Sequence, residues 1–277
     1  MQSTGLNRDT IDKFYTKPSI AKKCCEEFSK YIKIDTEIDI IIEPSAGNGS
    51  FIPQILEMSS TCLFYDIEPE AELILKQDYL DLDFNKLLIP DLYTKIHIIG
   101  NPPFGRQSSI AIKFIKKSAE ICDTIAFILP KSFKKDSMQK HFPDNFHLIY
   151  QVDLEDNSFM INQKEKDVPC VFQIWQKQQT PRDTIIKEYP KYFNFVKINE
   201  NPDISFRRVG VNAGKIYRNN FDDNSIQSHY FIKFQDNINK QEIIEKIKNI
   251  IYPNDNTVGP KSISKQEIIR EFNKLIN

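Results

Sequence analysis

The sequence predicts an α/β protein built on a doubly wound, mostly parallel sheet, with a small α+β region at its carboxyl end. Three observations carry that expectation. The apolar run Asp39–Ile42 passes into the turn Glu43-Pro44-Ser45-Ala46-Gly47-Asn48-Gly49-Ser50, after which Phe51, Ile55 and Met58 recur at helical spacing. About twenty residues on, the strand Thr61–Tyr65 ends in Asp66, where a doubly wound sheet places a carboxylate facing a ligand. Further along, the apolar runs Ile96–Gly100 and Thr124–Leu129 flank a helical stripe over Ser109–Ala119, the rhythm of parallel strands joined by crossover helices.

Each element has its own local reason. Pro18–Tyr31 sets Ile20, Cys24, Phe28 and Tyr31 on one stripe with proline in the first turn, so a helix starts there. Thr16-Lys17-Pro18 is then a strand-like entry whose loop is placed to lid a ligand pocket. A further short helix is expected ahead of Gln77-Asp78-Tyr79-Leu80. In Ser109–Ala119 the residues Ile110, Phe114 and Ile115 face inward, while Lys113, Lys116 and Lys117 face solvent. Phe146–Asp153 and Val168–Trp175 complete the sheet as a closing antiparallel pair. Gln176–Pro181 is a polar break that divides the chain into residues 1–178 and 179–277. Past it come short aromatic strands at Tyr192–Ile198, Ile204–Val209, Lys215–Arg218 and Tyr230–Phe234, then helices at Lys240–Ile251 and Ser264–Ile276.

Composition removes several classes. At 277 residues, 40% hydrophobic and 27% charged, the chain has enough material for one large core and a smaller appended unit. A formal charge of -1 and a pI near 6.5 argue against a protein that coats nucleic acid without selectivity. The polar stretch Met1–Asp9 has no apolar signal segment, and no run is long and apolar enough for a membrane span, so a cytoplasmic location is expected. Cys24, Cys25, Cys62, Cys122 and Cys170 show no C-x-x-C spacing and are odd in number, which predicts neither disulfides nor a metal centre. His97, His141, His147 and His229 accompany no serine-and-aspartate series, so hydrolytic chemistry finds no support.

The glycine turn favours one kind of ligand. Gly47 and Gly49 allow close approach of the backbone, and Glu43 offers an anionic acceptor at a strand end. Position 52 is Ile where a dinucleotide fingerprint needs a third glycine, and no Walker lysine follows, so the turn suits amine and ribose groups better than phosphates. Asp66 is placed for ribose hydroxyls. Asp78 can accept from an adenine amino group, with Ile67 and Tyr79 on the two faces of the ring; capping of a local turn is the competing role for each aspartate.

Directly after Ile96–Gly100 comes Asn101-Pro102-Pro103-Phe104. An exocyclic amine on a base is a poor nucleophile because its lone pair is delocalised into the ring. Two acceptors on its two N–H bonds favour a pyramidal nitrogen and free that pair; the Asn101 side-chain oxygen and the Pro102 carbonyl can supply them. Pro102 restricts Asn101 to extended backbone and both prolines fix their own φ, so the acceptors are rigid before substrate arrives. Phe104 adds a flat face for the base. Of the eight glycines in the chain, four (Gly47, Gly49, Gly100, Gly105) lie in or beside these two segments, a concentration that ordinary loop usage does not explain.

Together, Tyr15-Thr16-Lys17-Pro18, Glu43–Gly49, Asp66-Ile67-Glu68-Pro69, Asp78-Tyr79 and Asn101–Phe104 resemble the S-adenosylmethionine-dependent adenine-N6 DNA methyltransferases, in the motif order of their gamma class. The resemblance spans roughly the first two thirds of the chain. It implies a Rossmann-like class I methyltransferase fold, a seven-stranded sheet with an antiparallel closing strand, in a catalytic domain at 1–178 and a target-recognition region at 179–277. It implies S-adenosyl-L-methionine held by Thr16, Glu43, Pro44, Ser45, Ala46, Gly47, Gly49, Asp66, Ile67, Asp78, Tyr79 and Asn101, with Asn101, Pro102, Pro103 and Phe104 at the target amine. The family more often has Tyr at the place of Phe104, a change that keeps the stacking face.

The expected partner is DNA, with the adenine flipped out of the duplex, in a restriction-modification setting where a partner nuclease or a second copy of the chain stays open. Lys131, Lys134 and Lys135, after the strand Thr124–Leu129, suit a phosphate backbone. Arg207, Arg208, Lys215 and Arg218, on a glycine-turned hairpin, suit base edges or phosphates; an exposed charged hairpin is the plain alternative. RNA adenosine-N6 transfer and a catalytically silent nucleic-acid-binding subunit are the rival readings. Pro169-Cys170 has the look of a cytosine-C5 nucleophile, but it begins an apolar strand and Cys170 is expected to be structural.

Overall fold

The structure is a computed structural model that describes residues 14–84, 95–161, 164–183, 187–252 and 261–276. The polar amino-terminal stretch Met1–Asp9 lies outside the described residues. The chain forms two compact units, Met1–Asp183 and Thr184–Asn277.

In chain order the first unit contains β1 (Tyr15–Thr16), α1 (Pro18–Tyr31), β2 (Ile40–Glu43), α2 (Ile52–Met58), β3 (Thr61–Asp66), β4 (Leu75–Lys76) and β5 (Ile96–Gly100). It continues with α3 (Ser109–Ala119), β6 (Thr124–Pro130), α4 (Asp136–Gln139), β7 (Phe146–Asp153), β8 (Phe159–Ile161), β9 (Lys164–Lys166) and β10 (Cys170–Lys177). Seven strands make the main sheet in the order β4-β3-β2-β5-β6-β10-β7. All neighbouring pairs from β4 to β6 are parallel, while β10 runs antiparallel to both β6 and β7. This is the Rossmann-like α/β sheet with a closing antiparallel strand that the sequence predicts.

Central strands of such a sheet are covered on both faces and must be apolar throughout. All four residues of β2 and all seven of β6 are buried accordingly. α1 turns Ile20, Ala21, Cys24, Cys25 and Phe28 inward. Tyr31 is an exception to the predicted stripe: it is 47% exposed and stacks on Tyr150 of β7, with ring centroids 4.5 Å apart. Strand order reverses between β2 and β5, whose partners lie on opposite sides, so their carboxyl ends open a crevice.

Two local expectations are corrected. No helix precedes Gln77; Leu75–Lys76 is instead the edge strand, paired with Tyr65 and Asp66 of β3. Val168 stays outside the closing strand, which begins at Cys170. A second, three-stranded sheet, β1-β8-β9, has no counterpart in the sequence reading. In it Tyr15 pairs with Met160 and Thr16 with Phe159, binding the start of the described chain to a hairpin inserted between β7 and β10.

The second unit is an antiparallel sheet of β11 (Phe193–Val196), β12 (Ile204–Arg207), β13 (Ile216–Tyr217) and β14 (His229–Phe234), in the order β11-β14-β12-β13. Helices α5 (Lys240–Lys248) and α6 (Lys265–Ile276) accompany it, and Phe193, Phe206, Ile232, Ile247 and Phe272 are in its buried core. The predicted hairpin is present, with Phe206 opposite Ile216.

Cys24, Cys25, Cys122 and Cys170 are buried, and burial pushes each thiol well up; half-buried Cys62 is pushed up to about 11, again mainly by burial. Thiolates are the reactive species. In a thiol titration at about pH 8, the native protein is expected to label slowly at Cys62 alone, with the other four reacting only on unfolding. Rapid native labelling at two or more positions would contradict this packing.

Candidate active site

The crevice at the carboxyl ends of β2, β3 and β5 is a cleft of about 400 Å³. Thr16, Pro44 to Gly47, Asp66, Ile67, Asp78, Tyr79 and Asn101 to Phe104 all line it. Two residues predicted for the ligand are not on its lining, namely Gly49 and Glu43. Gly49 is in the turn itself, at φ 81°, donating to the Ala46 carbonyl at 2.8 Å.

The turn after β2 is fixed by its own backbone. Ala46 donates to the Tyr65 carbonyl at 2.8 Å, and Gly47, at φ 53°, donates to Asp66 Oδ2 at 2.7 Å. Glu68 donates its amide to Asp66 Oδ1 at 2.8 Å. A carboxylate has about four lone-pair directions, so Asp66 is oriented by two amides with acceptor capacity left for hydroxyl groups. A side-chain carbon at Gly47 would come within 3.1 Å of the Tyr15 ring, whose hydroxyl bonds Glu70. The amino-terminal strand therefore sits close over the turn.

Glu43 is 1% exposed, and its Oε2 is buried with no hydrogen-bond partner. Burial raises its carboxyl well above the usual range, and the negative charge of Asp66 adds to the rise. A cationic ligand group would relieve both effects.

Asp78 takes on the competing role as well: Oδ1 accepts from the Leu80 amide at 2.9 Å and caps the turn Tyr79–Asp81, while the residue also lines the cleft. Tyr79 is 1% exposed, with its ring stacked on Phe114 at 5.5 Å and its hydroxyl 3.0 Å from Ser118 Oγ. Ile67 is 49% exposed.

Asn101 is held from two sides. Its Nδ2 donates to the Phe14 carbonyl at 3.0 Å, and the Ser45 hydroxyl donates to its backbone carbonyl at 3.1 Å. Its Oδ1 is buried and has no partner. An orphaned buried acceptor is uncommon and costs about 1–3 kcal/mol, which makes this atom the natural receiver of a ligand N–H. Phe104 is 8% exposed at the same wall, and its carbonyl accepts from Ile110 and Ala111. The chain just beyond is contorted: Gly105, Gln107 and Ser108 have φ of 69°, 54° and 61°.

Phe14, Tyr15 and Lys113 line the cleft beyond the residues the sequence predicts there; Lys113 is exposed, as its place on the helix predicts, and also borders the cleft. A polar atom presented by a main-chain carbonyl, as at Phe14, leaves no residue-type signal in a sequence. Among the described residues no group of His, Cys, Asp or Glu is placed to hold a metal ion, and no helix is long and apolar enough to cross a membrane.

The expected nucleic-acid cations are elsewhere and largely engaged. Lys131 and Lys134 lie 3.4 and 3.0 Å from Asp153, and neither these two nor Lys135 lines the cleft. In the second unit, Arg207 donates to the Val209 carbonyl and Ser228, and Arg208 to the Gln227 carbonyl and the Tyr230 hydroxyl. Arg218 is 2.9 Å from Glu245, and Lys215 donates its amide to the Asn212 carbonyl in the hairpin turn.

No family model matches the chain, and no curated protein matches it. Solved structures do. The methyltransferase subunit of a type I restriction-modification system from Streptococcus thermophilus is similar at 16% identity and a TM-score of 0.46, over 62% of this chain and 47% of that one. The 23S rRNA methyltransferase ErmE is similar at 11% identity and 0.43, over 61% and 71%. The N-methyltransferase NodS from Bradyrhizobium japonicum WM9, in complex with S-adenosyl-L-homocysteine, is similar at 7% and 0.41, over 58% and 87%.

Two expected outcomes follow from the geometry. A side chain at Gly105 would meet Ile110 Cγ1 at 2.5 Å, and its φ, ψ of 69°, 179° is a glycine conformation, so Gly105→Ala should cost at least about 1–3 kcal/mol, measured by denaturant unfolding. For Glu43, the raised carboxyl means that the native chain keeps a proton the unfolded chain has lost, at every pH between the two values. Stability contributed by this residue therefore falls as pH rises through that window. Glu43→Gln should raise the melting temperature at about pH 8 and not at about pH 3, where both states are protonated; equal effects at the two would refute it.

Proposed function

We infer that the chain is a methyltransferase that uses S-adenosyl-L-methionine and acts on an exocyclic amino group of a nucleobase, namely adenine N6 in DNA. The observation that carries this reading is the unpartnered Asn101 Oδ1, buried in a cleft shared with Asp66, Asp78 and the glycine turn. The residues fit the donor: Asp66 keeps acceptor capacity for a diol, and buried Glu43 is short of a cation. Thr16, whose Oγ1 is buried and unpartnered, and Pro44 to Gly47 complete the donor side. When bound, the donor supplies an electrophilic methyl group.

The chain's own contribution is positioning and charge stabilisation. Asn101 Oδ1 and the Pro102 carbonyl accept the two N–H bonds of the amine and draw its lone pair out of conjugation. Pro102 and Pro103 keep those acceptors in place, so no reorganisation accompanies reaction. Phe104 stacks on the base and favours the positive charge that develops on nitrogen. In a duplex the adenine amine is paired, so the base must leave the stack to reach a cleft of this depth. The second unit, with Arg207, Arg208, Lys215 and Arg218, is read as the target-recognition region and Lys131, Lys134 and Lys135 as backbone contacts; for Arg207, Arg208, Arg218, Lys131 and Lys134 these contacts compete with the partners given above.

Incubation with donor carrying a labelled methyl group, on DNA and on RNA in parallel, followed by nucleoside analysis, tests the reading. N6-methyladenine in the DNA is the expected product; the same product confined to RNA would transfer the mechanism to the other polymer. Asn101→Ala should bind donor with unchanged affinity by calorimetry and lose transfer by about 10²–10³-fold, the scale for one preorganised electrostatic contact. An undiminished rate in that variant sinks the assignment.

A further inference from the structure

A carboxamide has two ends of nearly the same shape, and the chemistry proposed for Asn101 works with only one of them facing the substrate. With the oxygen toward the amine, the side chain accepts an N–H; with the nitrogen there, donor meets donor. Something must choose the flip. Asn101 Nδ2 is 3.0 Å from the Phe14 carbonyl. A main-chain carbonyl carries lone pairs and no proton, so it accepts only the NH₂ end and would repel the oxygen. Oδ1 is thereby left on the other branch of the amide, buried and unpartnered.

The Phe14 carbonyl is itself anchored. It immediately precedes β1, whose Tyr15 and Thr16 pair with Met160 and Phe159 of β8, and the ladder continues through the Lys17 amide to the Ser158 carbonyl at 3.0 Å. The Phe14 ring meets Phe159 edge-on with centroids 6.3 Å apart, and Lys17 bonds Glu165 of β9 at 2.5 Å. Tyr15 reaches across to Glu70 on the far side of the glycine turn. Residues more than fifty positions later in the chain thus hold one carbonyl in place.

We propose that the Phe14 main-chain carbonyl is the positioning group that selects the accepting flip of Asn101, which makes the pairing of β1 with β8 a condition of methyl transfer. The inference rests on Asn101 accepting an N–H from the substrate amine, as argued above. It adds a control element outside the Asn-Pro-Pro-Phe segment. Any event that lifts β1 off β8 releases the amide to rotate, with donor-binding residues Asp66 and Gly47 still in place.

Asn101→Asp separates this from a merely structural role. An ionised aspartate has no proton for the Phe14 carbonyl and repels it, whereas a protonated one offers O–H to Phe14 and C=O to the cleft, the same pattern as the native amide. In single turnovers at saturating donor, the rate of Asn101→Asp relative to the native enzyme should rise about tenfold for each pH unit lowered above the aspartate pKa, then level off as the acid becomes protonated. Donor binding and melting, followed at the same pH values, establish that the variant is folded. A ratio that does not change with pH overturns the proposal, as does a folded variant inactive throughout. In the native protein labelled with ¹⁵N-asparagine, the Asn101 NH₂ pair, identified by its absence from Asn101→Ala, should exchange slowly with solvent. Exchange at the rate of a free amide also overturns it. If the native enzyme methylates no base at all, the underlying reading fails first and takes this one with it, an outcome that neither the pH ratio nor the exchange rate can mimic.

Discussion

Parallel pairing of β2 with β5 is the constraint on which the site depends. Ile40, Ile41 and Ile42 stand opposite Ile96, His97 and Ile98, so Glu43 and Gly100 finish side by side at the carboxyl edge. The two loops that follow, one glycine-rich and one proline-rich, therefore open into the same crevice although more than fifty residues separate them. Gly100 belongs to this constraint, because at φ 154° a side-chain carbon would come within 3.2 Å of Glu43 Cγ. A larger residue there would push the two strand ends apart and separate Asp66 and the glycine turn from Asn101.

That closeness has an electrostatic consequence. Glu43 and Asp66 belong to neighbouring parallel strands, and Glu43 is enclosed by apolar surroundings with no proton donor on Oε2. Loop amides compensate Asp66, whereas among the described residues Glu43 Oε2 has no hydrogen-bond partner. Burial and the neighbouring negative charge of Asp66 together raise the Glu43 carboxyl well above its usual range.

Periodicity made the sheet legible. Strands β2, β3, β5 and β6 are apolar runs long enough to declare themselves, and the helix Ser109–Ala119 has a stripe that admits no other reading. The β1-β8-β9 sheet was not legible because strands of two and three residues contain too few alternations to show a period. The residues of the first unit that pair across it, Tyr15 with Met160, have no signal in common. Charge was the least legible property. Lys131 and Lys134 read as open phosphate contacts because Asp153, the group they face, arrives from β7, which is next to β10 and not to the strand β6 that precedes the lysines. Asp78 reads equally as ligand or cap; in the structure it caps the turn and also lines the cleft. The contortion at Gln107 and Ser108 contradicts local preference outright, which is where strain at a site would be sought.

Strain and orphaned acceptors point the same way. Two prolines stiffen the chain before Phe104, and three left-handed positions turn it sharply after, so the backbone on both sides is held in conformations with few alternatives. The acceptor at Asn101 is left unsatisfied in the absence of a partner. Each feature disfavours the folded chain taken by itself and, under the proposed function, lowers what must be reorganised when an amine enters. A looser loop would fold more easily and let the Asn101 oxygen find a hydrogen bond within the protein; it would then have to break that bond for every substrate molecule. The cost of the unmade contact is met once, in folding, by the burial of β2, β5 and β6 beneath it.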